Sequence, residues 1–341
     1  MLDYELLKKL CTADGISGNE DEVRNIIISE ITPFADSVTV DNSGNVIVFK
    51  KGKKTPDKKL LISAHMDEVG FIVTYINPDG TLKFETVGGI NDSAVFAKSL
   101  KIGKSKLRGV VSSKPVHLLK ADEKKKCPSV GSLCVDIGAK DKEEAEKYVS
   151  PGDMMTFDSP YENKNGRVIS KAIDDRFGCL VLIEMIKSEL EYDMYFSFTV
   201  QEEIGLRGAR TAAFSISPDC AIVVEATTAS DVPFAENEKR VCLVGSGAVI
   251  SFMDRATIYD KEYYKLAMDC AEKLGVKAQT KTMIAGGNDA GAIHSSRGGV
   301  RTLAVSVPCR YIHSSDSLAV AEDMEAVYAV VRATAKRILE I

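Results

Sequence analysis

Apolar and polar positions along the chain follow three textures, and the changes of texture mark the elements. The first 31 residues read as two helices interrupted at "DGISGNE", where Ser17 and Glu20 have the spacing of a capping box for the second helix. Short strands follow at "SVTV" and "NVIVFK", joined through the turn-forming "DNSGN". "KKLLISAHMDEVGFIV" then runs on as one apolar stretch, which predicts a continuous strand inside a sheet covered on both faces.

Between residues 70 and 163 the apolar segments shorten and alternate. "FIVTYI", "TLKFETV", "SLKIG" and "LRGVVSS" are separated by Gly, Asn, Pro and Asp, the pattern of a small β-rich barrel or sandwich. Helix and strand patterns resume at "RVISKAIDDRFGCLVLIEMIKSELEYDMYFSFTVQEE". Further helices are expected at 260–275 and 321–339, and strands at 219–225 and 300–307. The expected architecture is an α/β domain with a mixed central sheet flanked by helices, made of residues 1–69 and 164–341. A β-rich insertion at 70–163 interrupts it.

Composition removes several classes of function. A chain of 341 residues, 45% hydrophobic and 27% charged, has ordinary globular values and can bury a large core plus a second unit. A net charge of −5 gives no electrostatic reason to expect nucleic acid or an anionic membrane surface. No apolar stretch approaches the roughly 18 residues needed to span a bilayer. "MLDYELLKKL" carries Asp3 and Glu5 where a secretory signal would be basic and then apolar, so a soluble, cytoplasmic protein is expected. The eight cysteines contain no CxxC pair, and several lie inside apolar runs such as "FGCLVLIEM". They read as buried, reduced thiols, not a disulfide framework or zinc ribbon.

The candidate chemistry lies where apolar runs stop. In "SFTVQEEIGLRGA" the apolar run 195–200 ends in two adjacent carboxylates, Glu202 and Glu203. Like charges at the end of a buried strand repel and lose hydration, so they require either water or a compensating cation. Other strand ends resemble it. "LLISAHMDE" ends in His65 and Asp67, "VISKAIDDR" in Asp174 and Asp175, "CAIVVEATT" in Glu225, and "VSVPCRYIHSSDS" in His313. In open α/β sheets ligands collect at such ends. Two imidazoles and three carboxylates suit two divalent cations sharing one bridging carboxylate. The HxD spacing also lets a carboxylate hold the second nitrogen of a ligand histidine.

The order HxD…DD…EE…E…H, carried by "SAHMDEVGF", "KAIDDR", "QEEIGLRGA", "FMDRATI", "GGNDAGAIH" and "PCRYIHS", resembles the M42 family of co-catalytic metallo-aminopeptidases. The likeness covers nearly the whole chain. It implies a zinc-exopeptidase-like catalytic domain that removes N-terminal residues from short peptides with a free N-terminus, using two divalent metal ions per subunit. Zinc and cobalt are the expected metals, and manganese is also compatible with mixed nitrogen and oxygen ligands. It further implies that His65 and Glu225 complete one metal site, and Glu203 and His313 the other, with Asp174 bridging. Glu202 would be the general base and Asp67 the partner orienting His65. Asp175 would orient neighbouring groups or cap the next helix, and Asp289 would shape a turn beside the site. His294 and His117 stay outside the ligand set. The insertion, with its "KPVHLL", would serve dimerisation, the dimers building a hollow dodecamer. Two positions depart from the family pattern: Glu225 stands where aspartate is usual, and Asn288 where threonine is common.

Three other readings compete. A glycoside hydrolase of glucanase type also uses paired carboxylates, but it needs no histidine ligands, and the chain has no tryptophan on which to stack sugars. An inactive metal-binding assembly protein would be expected to have lost Glu202 or Asp67, and both are present. An exopeptidase of the same clan acting on C-termini or N-acyl groups fits poorly with the positions of the insertion and of "AIDDR".

Overall fold

The structure is a computed structural model and describes residues 1–233 and 235–341. Helices α1 (Tyr4–Thr12) and α2 (Asp21–Ile31) open the chain. The capping box expected at Ser17 and Glu20 does not form. Glu20 occupies the N-cap position of α2 without a side-chain cap, and the Ser17 hydroxyl donates to the Asp67 carboxylate at 2.6 Å. A buried carboxylate needs that donor more than a helix end that water can serve.

Strands β1 (Ser37–Val40), β2 (Val46–Lys50) and β3 (Leu60–His65) follow. The long apolar run does not continue as one strand. It breaks after His65, and β4 (Gly70–Ile76) leaves the sheet for a closed barrel. The other barrel strands are β5 (Leu82–Val87), β6 (Ser99–Ile102), β7 (Leu107–Ser112), β8 (Cys134–Asp136) and β9 (Met154–Phe157), ordered β4-β5-β8-β7-β6-β9. The short helix α3 (Lys142–Ala145) precedes β9. Both segments of the run are apolar because each enters a core, so composition could not show the break. Gly70 marks it. A Cβ there would lie 2.3 Å from Ile16 Cδ1 and 2.8 Å from the Met155 carbonyl. The barrel has its own core, in which Phe71 meets Phe84 and Phe157 edge-on at 5.4 and 5.2 Å.

After the barrel come β10 (Glu162–Lys164), β11 (Arg167–Ser170), α4 (Ile173–Lys187), β12 (Met194–Thr199), α5 (Arg207–Ile216) and β13 (Cys220–Thr228). The chain ends with β14 (Ala248–Ile250), α6 (Lys261–Leu274), β15 (Ala278–Thr280), α7 (Ala290–Ile293), β16 (Arg301–Cys309), β17 (Ser317–Val320) and α8 (Ala321–Ile338). The main sheet has the order β1-β2-β12-β3-β13-β16-β14-β15. Its four central strands, β12, β3, β13 and β16, are parallel, and antiparallel neighbours flank them, giving the mixed sheet the sequence predicts. The strand period of two sends Leu60, Ile62 and Ala64 into the core under α1, α2, α4, α6 and α8. Leu61 points into the smaller core under α5 and α7. β10, β11 and β17 form a separate three-stranded sheet.

The helix-like "DAGAIHSSRG" is shorter than its pattern suggests: α7 stops at Ile293, with Arg297 and Gly299 at positive φ beyond it. The eight cysteines are free, and six are buried. Cys127 is exposed and Cys134 half-buried, since both lie on the barrel periphery. Among the described residues no helix is long and apolar enough to cross a membrane.

Candidate active site

The parallel strands β12, β3, β13 and β16 deliver their carboxyl ends to one edge of the sheet, where the candidate residues meet. His65 is the last residue of β3, and Glu202 and Glu203 follow β12 after Val200 and Gln201. Glu225 lies within β13, opposite Ser306 of β16, and His313 follows β16. Asp174 sits in the first turn of α4, where its backbone and that of Asp175 are not helical and the peptide between them is cis. Three non-glycine residues at or beside these turns, Ala172, Gln201 and His313, have φ of 55°, 55° and 60°. Such left-handed backbone costs of order 1 kcal/mol or more per residue and persists where the surroundings over-determine it.

The Asp174 carboxylate stands between the two histidines. Its Oδ1 is 3.3 Å from His65 Nε2, and its Oδ2 is 3.5 Å from His313 Nε2. Glu225 Oε2 lies 3.7 Å from the same His65 nitrogen, and Glu203 Oε1 lies 3.2 Å from His313 Nε2. Two sets of potential ligand atoms result, His65–Asp174–Glu225 and Asp174–Glu203–His313, each within 4.8 Å and sharing Asp174. Glu202 is grouped with His65 and Glu203 by the same measure. The far nitrogens are fixed from behind. His65 Nδ1 faces the Asp67 backbone carbonyl at 3.0 Å and its carboxylate at 3.5 Å, while His313 Nδ1 faces the Gly89 carbonyl at 2.8 Å. The orienting contact of Asp67 is thus shared between backbone and side chain. Its carboxylate also accepts from Ser17, Glu202 N and Glu203 N.

Charge crowding shows in the titration of these groups. Burial opposes protonation of His65, but the charge of Glu225 and the bonds to Asp174 and Asp67 outweigh it and push its pKa well above the ordinary value. His313 is likewise opposed by burial, yet Asp174 and Glu203 raise it to about 11. Burial lifts Glu202 and Glu225 well above the carboxylate range, with His65 pulling the other way. Asp174, buried as it is, is held below that range by its two histidines. Glu225 Oε1 is buried and has no hydrogen-bond partner among the described residues. Buried acids whose nearest partners are two imidazoles, one oxygen among them unsatisfied, fit a pair of divalent cations.

The structure brings His65, Asp174, Glu202, Glu203, Glu225 and His313 to the wall of one cavity of about 560 Å³. Asp175 lies behind it, accepting from Gly178 N at 2.9 Å and from His65 N at 3.3 Å, so it both caps α4 and braces β3. Asp289 is buried, bonded to Thr199 at 2.5 Å, and its pKa is raised to about 6 by burial, with the nearby His65 charge opposing. His294 bonds to the Ala290 carbonyl, and His117 lies in the barrel, apart from the cavity. Sequence reading missed Ser17, Gly89 and Lys281. The spacing of Ser17 suits a helix cap equally well, Gly89 acts through a backbone carbonyl that no side-chain pattern reveals, and Lys281 lies just beyond β15 without a motif.

The chain matches the family model described as M42 glutamyl aminopeptidase over residues 44–330. The lysyl aminopeptidase of Pyrococcus furiosus is 33% identical over 334 residues, 95% of this chain and 94% of that protein. The solved TET aminopeptidase of the marine sediment archaeon Thaumarchaeota archaeon SCGC AB-539-E09 is 37% identical, with a TM-score of 0.94 over 98% of this chain and 96% of that one. The Pyrococcus horikoshii TET1 peptidase, which can assemble into a tetrahedron or a large octahedral shell, is 36% identical, with a TM-score of 0.85 over 97% of this chain and 98% of that one. On this evidence of sequence and fold, the chain belongs to the M42 peptidase family.

Proposed function

We propose that the protein is a metal-dependent aminopeptidase that removes N-terminal residues from short peptides, and that it works as a homo-oligomer. The observation that carries the reading is the Asp174 carboxylate shared between two histidine–carboxylate sets. His65 and Glu225 would hold one divalent ion, Glu203 and His313 the other, with Asp174 common to both. Zinc or cobalt suits these ligands, and manganese is the third choice. When bound, such a pair supplies Lewis acidity toward the scissile carbonyl and acidifies the attacking water.

The chain's own residues do the rest. Glu202 lies beside the cluster without being needed in either ligand set, so it takes the proton from the attacking water and returns it to the leaving amine. Asp67 and Gly89 hold the two imidazoles in one orientation each. The glutamate at 225 reaches one methylene further than an aspartate would, and its Oε2 lies 3.7 Å from His65 Nε2.

Assembly would run through the barrel, which exposes Val110, Val116 and Leu118. A hollow dodecamer is the expected form, and the tetrahedron that the solved Pyrococcus horikoshii relative can form supports it. The test is steady-state hydrolysis of aminoacyl-p-nitroanilides by chelator-stripped protein reloaded with zinc or cobalt, with an N-acetylated substrate as control. Metal-dependent release from free-amino substrates alone supports the reading, and release from the blocked substrate, or none at all, sinks it.

A further inference from the structure

The turn that carries Glu202 and Glu203 lies between β12 and α5, and its first N–H groups pair with neither. Four consecutive amides donate instead to side chains from elsewhere in the chain. Val200 N donates to Asn45 Oδ1 at 3.0 Å and Gln201 N to Glu20 Oε1 at 3.3 Å. Glu202 N and Glu203 N donate to the two carboxylate oxygens of Asp67 at 3.0 and 3.1 Å. Gln201 takes its φ of 55° inside this run. Left-handed backbone of that kind persists only where its surroundings hold it.

Two of the three holding residues have other duties. Asp67 also faces His65, and Asn45 ties the strand end to α5 through the Gly208 carbonyl and the Thr211 hydroxyl. Glu20 is different. It stands at the N-cap of α2 but makes no side-chain cap there, and it does not line the cavity. The residue is 4% exposed, and its Oε1 accepts from Gly18 N at 2.7 Å as well as from Gln201 N. Gly18 has a φ of 86°, and Asn19 N donates to the Ile16 carbonyl at 2.7 Å, so a tight turn aims the Gly18 amide at that carboxyl group. A helix end is served by a small polar side chain, whereas a buried carboxyl group is costly unless its bonds are used.

The bonds of Glu20 are used on the turn. The φ torsion of Gln201 sets the direction in which the chain leaves toward Glu202, and a shift of about 1 Å in a reacting group costs on the order of a hundredfold in rate. We propose that Glu20 is a positioning residue for the general base: by holding Gln201 N it fixes the left-handed turn that places the Glu202 carboxylate. The proposal rests on the role given to Glu202 above.

The test measures kcat and KM on an aminoacyl-p-nitroanilide for metal-loaded wild type, E20L, E20A, E20Q, E202Q and the double variant E20L/E202Q. Metal analysis and thermal unfolding are the controls. E20L and E20A lose the acceptor and are expected to lower kcat about tenfold to a hundredfold, with KM within about twofold and both metal equivalents retained. E20Q keeps a carbonyl oxygen at the same reach and should recover most of the loss. On the E202Q background, where the base is already gone, E20L should cost no more than about threefold further. Hydrogen exchange over residues 199–206, followed by mass spectrometry, reads the turn without turnover. Exchange there should be about tenfold faster in E20L and unchanged in E20Q.

Full kcat in folded E20L and E20A beside a crippled E202Q would overturn the assignment of Glu20 alone. An equal loss on both backgrounds, or one shared by KM and metal content, would make Glu20 a structural residue and reject the proposal. Near-wild-type kcat in E202Q would remove the base reading itself, and with it any base for Glu20 to place. If wild type turns over no substrate, the aminopeptidase reading fails. Glu20 is then judged by exchange alone, and unchanged protection in E20L rejects its hold on the turn.

Discussion

At the residue scale, Glu202 and the two histidines proposed as ligands make distinct demands. Replacing Glu202 by glutamine keeps the size of the side chain but removes the proton acceptor. E202Q is expected to bind both metal equivalents and to lose about 10²–10⁴-fold in kcat. Metal analysis by mass spectrometry with single-turnover kinetics checks both halves. The carboxylates around His65 and His313 push both imidazoles above their ordinary pKa, so protons compete with a cation for these nitrogens. A cation needs the bare nitrogens, so binding releases protons and affinity falls as pH falls. Zinc titrations in two buffers of different ionisation enthalpy should give heats that differ by the buffer's share of those protons. Identical heats in the two buffers would contradict it. The six clustered residues are legible in the sequence because each interrupts or ends an apolar run that has reason to be buried. Ser17 is not legible, since its spacing with Glu20 serves a helix cap equally well and only the fold brings Asp67 to it.

At the scale of elements, α4 is locked to the N-terminal segment by a buried charge network. Arg176 donates to the carbonyls of Leu10, Ala13, Gly15 and Met66 and to Glu68, which also receives Lys171. A Cβ on Gly15 would lie 2.7 Å from the guanidinium, so the segment must pass there as glycine. R176M removes five donors from buried acceptors and should destabilise the fold by about 3–5 kcal/mol. Urea denaturation reads this directly, and a midpoint unchanged from wild type would show that the network is not needed. In the sequence "KAIDDR" announces chemistry, yet its arginine turns to the N-terminal segment and its lysine is buried in an ion pair with Glu68. Helices and central strands were readable from apolar spacing. The break between β3 and β4 was not, because sheet core and barrel core ask for the same residues.

At the scale of the molecule, the central sheet is discontinuous in the chain. β3, which ends in His65, lies between β12 and β13, and its neighbours in the sheet extend to β16. His313, the last residue of the proposed ligand set, comes still later and is held by Gly89 of the barrel. A chain ending at residue 300 lacks β16 and that histidine, and is expected to retain no zinc in equilibrium dialysis and to be cut throughout by added protease. Protection of such a fragment would show that the first part of the sheet closes without its last parallel strand. The order of pairing sets a clock on synthesis. On the proposed ligand set, every peptide nearby, including the nascent chain itself, is safe from this site while the ribosome is still working, because the last ligand is made only when nearly the whole message has been read.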